Sequence, residues 1–264
     1  MKNLLALILI SLLFIFALPI TSVDKSSPIT ITVLYDNYDF RAGLIPDWGF
    51  SCLIRSTEKA ILFDTGAKSE NFLHNIQLLK INPKEVKIIV LSHIHADHTG
   101  GLFSFLSENH NVTVYVPASF PADFVDKIQR TEANVVKVTK STGICKNVFI
   151  LGEMGEQIKE QALVVSTKKG LVVLTGCAHP GIVEMVKEAK KIVSQNIYLV
   201  SGGFHLAEKS EAEIKEIIGQ FQALKVMKVG ASHCTGDVAI QLFKQAYGKN
   251  FIPLGVGKVI TISR

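Results

Sequence analysis

The six residues His93-Ile94-His95-Ala96-Asp97-His98 constrain this chain more than any other feature of it. They follow the apolar run Val86 to Leu91, which reads as a short strand, and precede Gly100-Gly101. In extended backbone alternate side chains face one way, so His93 and His95 share a side and Asp97 continues the period. His98 follows as the chain turns into a helix. Three imidazoles and one carboxylate are thereby delivered to a single point. Buried without a cation, such groups would repel one another and stay unsatisfied; neutral imidazole and carboxylate are ligands for zinc, iron or manganese. The fold is therefore expected to open a strand tip onto a site that takes further ligands from elsewhere. Gly100 and Gly101 are expected to let the backbone approach the ions closely.

The further ligands have to come from the remaining histidines. Of the eight in the chain, six lie in glycine-flanked segments at the ends of expected strands. Beyond the first cluster these are His179 in Gly176-Cys177-Ala178-His179-Pro180-Gly181, His205 in Gly202-Gly203-Phe204-His205-Leu206, and His233 in Ser232-His233-Cys234-Thr235-Gly236. His74, on an expected helix, and His110, in a polar loop, read as surface or packing residues. Strand ends in α/β sheets are where ligands collect, so His205 reads as a contact to substrate or to a ligand side chain. The four cysteines, Cys52, Cys145, Cys177 and Cys234, are too few and too spread out for a disulfide framework, and two of them sit inside the histidine motifs.

Expected strands cover Ile29 to Tyr35, Phe50 to Arg55, Ala60 to Phe63, Val86 to Leu91, Val112 to Val116, Val135 to Val138, Val148 to Leu151, Leu163 to Ser166 and Leu171 to Thr175. Ile197 to Ser201, Val226 to Gly230 and Val259 to Ile262 complete the set. Helical spacing marks Asn71 to Lys80, Gly181 to Ile192, Glu211 to Phe221 and Val238 to Ala246. This divides into a strand-rich half with one short helix and a β-α-β-α-β half, with no linker between them. The pattern suits α/β architecture of the four-layer αββα type, two sheets face to face with helices outside.

At 264 residues, 48% of them hydrophobic, the chain is long enough for one large domain with a core, placed at 29–264. Residues 1–22 read separately. Lys2 precedes an apolar run, Leu4 to Leu18, broken only by Ser11, which has the form of a signal peptide or an uncleaved N-terminal anchor. Export is the expected destination, with a membrane tether if the leader is retained. The net charge of +5 comes from lysines interspersed with glutamates, as in Glu208 to Lys215, and no basic stripe with aromatics marks a nucleic-acid surface.

The His-x-His-x-Asp-His motif, with Phe63-Asp64-Thr65-Gly66 before it, resembles the metallo-β-lactamase superfamily over the chain from about Ile29 onward. That resemblance implies an αββα sandwich holding two divalent ions, zinc by preference, with manganese, iron or magnesium as alternatives. It implies that His93 and His95 bind one ion, that Asp97 and His98 bind the other, and that Asp64 orients the histidine loop from behind. Cys177 stands where most members have a bridging aspartate, and is expected as a ligand in its place. The usual upstream histidine of the third motif is missing, Gln161-Ala162-Leu163 occupying that region, so His179 is expected to complete the first set. His233 partners the second ion.

Gly-Cys-Ala-His-Pro-Gly, Gly-Gly-Phe-His-Leu and Ser-His-Cys-Thr-Gly narrow the resemblance to the branch named for dihydropterin–ribofuranosylaminobenzene phosphate synthase. Tyr35-Asp36-Asn37 and Gly49-Phe50-Ser51 agree with it, whereas Asp47-Trp48-Gly49 stands where the branch often has Glu-His-Gly. The resemblance implies substrate contacts from Asn37, Gly203, His205 and Thr235, and a small-molecule substrate. Two chemistries follow from it. One is hydrolysis of an ester or phosphoester by hydroxide held on two ions, with Asp97 as the catalytic carboxylate. The other is transfer with displacement of pyrophosphate, a cytosolic pterin reaction at odds with an export signal. A non-enzymatic metal-binding scaffold is the third reading. The di-iron redox branch has Glu where His95 stands and an appended flavin domain, and neither is present.

Overall fold

A computed structural model describes residues 28–55 and 57–263; the leader 1–22 lies outside them. The first half runs β1 (Ile29–Tyr35), β2 (Ser51–Arg55), β3 (Ala60–Phe63), α1 (Ser69–Leu78), β4 (Val86–Val90), α2 (Ala96–Thr99), α3 (Leu102–Glu108), β5 (Thr113–Pro117), α4 (Ala122–Gln129) and β6 (Asn134–Val138). The second runs β7 (Thr142–Cys145), β8 (Val148–Ile150), β9 (Leu163–Thr167), β10 (Gly170–Thr175), α5 (Ile182–Ile192), β11 (Ile197–Gly203), α6 (Glu211–Ala223), β12 (Lys228–Ser232), α7 (Asp237–Tyr247) and β13 (Val259–Ile262).

Two sheets result. One has the order β13-β1-β2-β3-β4-β5-β6 and the other β12-β11-β10-β9-β8-β7. The last strand returns to pair antiparallel with the first, Ile29 opposite Ile262, so the two halves are tied by the chain's final strand. Alternation along the strands sends one set of side chains between the sheets. Ile31, Ile54, Phe63 and Val90 there meet Val148, Val165, Val172 and Leu199. The opposite set of the first sheet, with Leu53, Leu62 and Val114, packs on Phe72, Phe105 and Ile128 of the helices. Val173, Val200 and Val229 of the second sheet pack on Val186, Phe221 and Phe243. The four layers are thus helix, sheet, sheet, helix.

The expectation of one short helix in the first half is corrected. That half also carries α2, α3 and α4, each under nine residues. Two turns or fewer show too little of the 3.6-residue period to separate from a loop. Yet Leu102, Phe105 and Leu106 on α3, and Val125 and Ile128 on α4, are buried.

Parallel pairing positions the site. β3, β4, β5 and β6 run parallel to one another, as do β10, β11 and β12. Parallel neighbours end on the same edge of a sheet, so the segments after β3, β4, β10, β11 and β12 are the ones that carry Asp64, the His93 loop, Cys177, His205 and His233.

Candidate metal centre

Four of the eight non-glycine residues with left-handed backbone among those described are Asp64, Ala178, His205 and His233, with φ between 51° and 59°. Each stands just past a strand end. Such conformations are costly for side-chain-bearing residues and concentrate where the surroundings enforce them for function.

From these turns two groups of ligand atoms converge. Asp97, His98, Cys177 and His233 form one, and His93, His95 and His179 the other; within each, the atoms lie within 4.8 Å of one another. Distances are short throughout. His98 Nε2 is 3.2 Å from both His233 Nε2 and Cys177 Sγ. Asp97 Oδ2 is 3.3 Å from His233 Nε2, and His93 Nε2 is 3.1 Å from His95 Nδ1. The His179 ring stands 4.8 Å from that of His93 and 4.9 Å from that of His95. All seven expected ligands are therefore brought together, from both sheets.

The hydrogen bonds behind the rings assign the tautomers. His98 Nδ1–H donates to Asp64 Oδ2 at 2.7 Å, the same oxygen that accepts from Ser92 Oγ at 2.7 Å. With its own proton committed to Asp64, Ser92 Oγ can only accept from His93 Nδ1, 2.9 Å away. His233 Nδ1 lies 2.9 Å from Asn37 Oδ1. Each of these imidazoles thus spends its proton outward and presents a bare Nε2 inward. Bare nitrogens 3.2 Å apart repel unless a cation lies between them. His179 Nε2 is buried and has no partner, which is the same condition. The donor set fits divalent metal on both counts: a three-nitrogen group, and a group with one carboxylate, one thiol and two imidazoles that suits zinc.

Electrostatics agree. Burial, and then repulsion from His98 and His179, holds His93 far below the ordinary histidine range. Burial, then the neighbouring His205 and His95, lowers His179 to about 4, so both rings are neutral ligands near pH 7. Burial opposes charge on Asp97, but the hydrogen bond to His233 and the neighbouring His98 hold its carboxyl below the usual range. Burial disfavours charge on His98 too, but Asp64 beside it raises that ring to about 9, so without a cation Nε2 carries a proton that a bound metal ion would displace. The adjacent Cys234 thiol and burial push Cys177 up, so its thiolate depends on a bound cation. All four cysteines are free.

The four expected substrate contacts divide. Asn37 is committed to His233, accepting from its ring and donating to its carbonyl oxygen at 3.3 Å. Thr235 is buried and spends its hydroxyl on Ser232 O and Phe204 N. Gly203 is wedged: a Cβ there would lie 2.3 Å from Gly176 O and 2.7 Å from Cys234 Sγ. Only His205 is exposed, its ring 4.4 Å from that of His179. Gly100, expected to face the ions, instead lets the α2–α3 turn press on the β3–α1 loop; a Cβ would meet Ala67 O at 1.8 Å.

One residue escaped the sequence reading altogether. Glu160 is fully buried and accepts the backbone N–H groups of Gly176, Cys177 and Ala178 on Oε1 and of His179 on Oε2, at 2.9–3.1 Å. It shapes the loop that carries two ligands. Burial pushes its carboxyl up to about 7 against those four donors. A lone glutamate before an apolar strand carries no sign of this role. Asp36 does the same for the β12 turn, accepting from Ser232 Oγ at 2.7 Å.

A model of the metallo-beta-lactamase superfamily matches residues 46–181. The 7,8-dihydropterin-6-methyl-4-(beta-D-ribofuranosyl)-aminobenzene-5'-phosphate synthase of Methanocaldococcus jannaschii is 32% identical, over 90% of this chain and 98% of that protein. A solved metal-dependent hydrolase of the beta-lactamase superfamily superposes with TM-score 0.76 at 29% identity, over 89% of this chain and all of the other. The metallo-beta-lactamase fold protein YhfI of Bacillus subtilis shares the fold at TM-score 0.67 and 14% identity, over 89% of this chain and 99% of that one. The chain belongs to the metallo-beta-lactamase superfamily, in the branch resembling that synthase, and is an enzyme of hydrolase or related transferase type.

Proposed function

We propose that the protein is an exported dinuclear metal-dependent hydrolase acting on an ester or phosphoester of a small molecule. The observation that carries this reading is the meeting of two ligand groups, His98 Nε2 facing His233 Nε2 at 3.2 Å in one and His93 Nε2 facing His95 Nδ1 at 3.1 Å in the other. Divalent ions bound there, zinc by donor preference, would supply Lewis acidity and a water pKa lowered to about 7. The chain's own part is positional. Asp64, Ser92 and Asn37 fix the rings, and Glu160 fixes the Cys177–His179 loop. Asp97, held ionised, offers a carboxylate oxygen to the proton of the attacking water. His205 contacts the scissile group in this reading, which its exposure and its ring 4.4 Å from that of His179 support.

Export rests on the basic and apolar segment 1–22 alone. Among the described residues no helix is long and apolar enough to cross a membrane.

The second reading is a synthase-like transferase that displaces pyrophosphate, favoured by the 32% identity to the methanogen synthase over nearly its whole length. Incubating metal-loaded protein with generic phosphodiesters and lactones, and separately with a dihydropterin diphosphate and an arylamine acceptor, separates the two. Release of alcohol or acid from the first set is expected; coupled product without hydrolysis would give the transferase. His205→Ala is expected to keep the metal content and raise KM, and metal loss in that variant would make His205 a ligand.

A further inference from the structure

The loop between β1 and β2 carries the chain's one tryptophan to the lip of the metal centre. The loop is tightly held. Asp47 N–H donates to Asp36 O at 3.0 Å, and the Asp47 carboxylate accepts from Tyr35 Oη at 3.0 Å and Asn71 Nδ2 at 2.9 Å and pairs with Lys68 at 2.9 Å. Trp48 N–H donates back to Asp47 Oδ1 at 2.9 Å, Gly49 N–H to Asn37 Oδ1 at 3.1 Å, and Phe50 N–H to Asp97 O at 3.2 Å. Out of this scaffold the indole projects with 55% of the residue exposed, its ring 4.9 Å from the His233 ring and tilted by 56°. Exposure on a mobile loop would need no explanation, but here a rigid backbone holds a large apolar side chain in water beside a ligand group. The loop also touches the centre twice, through Asn37 and through Asp97, so the indole and the ligands keep a fixed relation.

We propose that Trp48 is a specificity-determining residue: a stacking platform for a planar aromatic or heteroaromatic group on the substrate, which lies on the indole while the reacting ester or phosphoester reaches the ligand groups. The proposal takes the position of the reacting group from the function proposed above. Its own content is the class of group beside it. Two features favour this occupant. The indole is a broad, rigid face with only two side-chain torsions to freeze, and offset or tilted aromatic pairs gain beyond the area they cover. Lys68, on the segment between β3 and α1, pairs with Asp47 of this loop, so its charge is largely offset against an anionic group beside the indole; a polar contact comes from the exposed His205 beside His179.

The test is calorimetric titration of the full, metal-loaded protein with phenyl phosphate and with cyclohexyl phosphate, two ligands of the same ring size that differ in planarity. Wild type is expected to bind the phenyl compound about fivefold more tightly. Trp48→Ala should bring that ratio to about one with metal content unchanged, and Trp48→Phe should keep a preference. Preference in binding supports the proposal even where neither compound is turned over, which separates it from the hydrolase reading. Equal affinities in wild type, equal losses in Trp48→Ala, or no binding of phenyl phosphate would overturn it.

Discussion

His98 shows how much of the centre depends on single atoms. Its Nδ1–H is held by Asp64 and its Nε2 faces both Cys177 and His233, so ring orientation and tautomer are set by one carboxylate. Asp64→Asn would put an amide donor or a weaker acceptor against that proton. The expected result is a 10- to 100-fold loss of metal affinity, roughly the cost of removing such a support, measured by competition with a chromophoric chelator. Asp97→Ala removes a ligand outright and should leave one ion per chain by elemental analysis, with almost no turnover. Asp97 and His98 are legible because ligands close in sequence leave a pattern, whereas the part of Asp64 follows only from the resemblance that Phe63-Asp64-Thr65-Gly66 carries. Glu160 and Ser92 leave none: their roles lie in hydrogen bonds to backbone or to a neighbour's ring, which only the fold brings into reach.

Elements meet at the centre through buried carboxylates, and this gives stability a pH dependence. Asp36, at the end of β1, is fully buried and ties to Ser232 at the end of β12; burial raises its carboxyl to about 7, against the lowering effect of Ser232 and backbone N–H donors. The folded state therefore holds a proton that the unfolded chain releases near pH 4. Stability is full below that and falls as pH rises to about 7, where the folded carboxyl also ionises, then levels off. Glu160, raised to about 7 and also chiefly by burial, acts in the same direction. His93 and His179, held neutral by burial, act in the opposite direction up to about pH 6.5, so the measurement is a difference. From pH 5 to 7.5 the urea midpoint of metal-free Asp36→Asn should gain on that of wild type, and a constant gap between the two would show that Asp36 folds ionised. Packing makes a separate demand. Phe105 on α3 is buried against the first sheet, and Phe105→Ala should cost about 3–5 kcal/mol in chemical denaturation. That short helix was missed because its contribution lies in three buried side chains rather than in any repeat, whereas α5 and α6, at 11 and 13 residues, show theirs plainly.

For the whole molecule, strand alternation gave the two sheets, and the alternation of strand and helix gave the parallel half. What no local pattern could show is that β13 returns to β1 and closes the first sheet, a pairing across the length of the chain. The same long-range arrangement places the His93 loop from one sheet against Cys177, His179 and His233 from the other. The centre therefore forms only when both sheets are packed, so metal binding and folding of the sandwich are coupled. Excess zinc should raise the midpoint of thermal unfolding of wild type, and do so much less for Asp97→Ala. Elemental analysis combined with anomalous diffraction from the purified protein addresses the central claim. Two ions are expected, about 3.5–4 Å apart, one held by His93, His95 and His179 and the other by Asp97, His98, Cys177 and His233. Protein that remains metal-free after reconstitution, or ions bound away from these side chains, would contradict it.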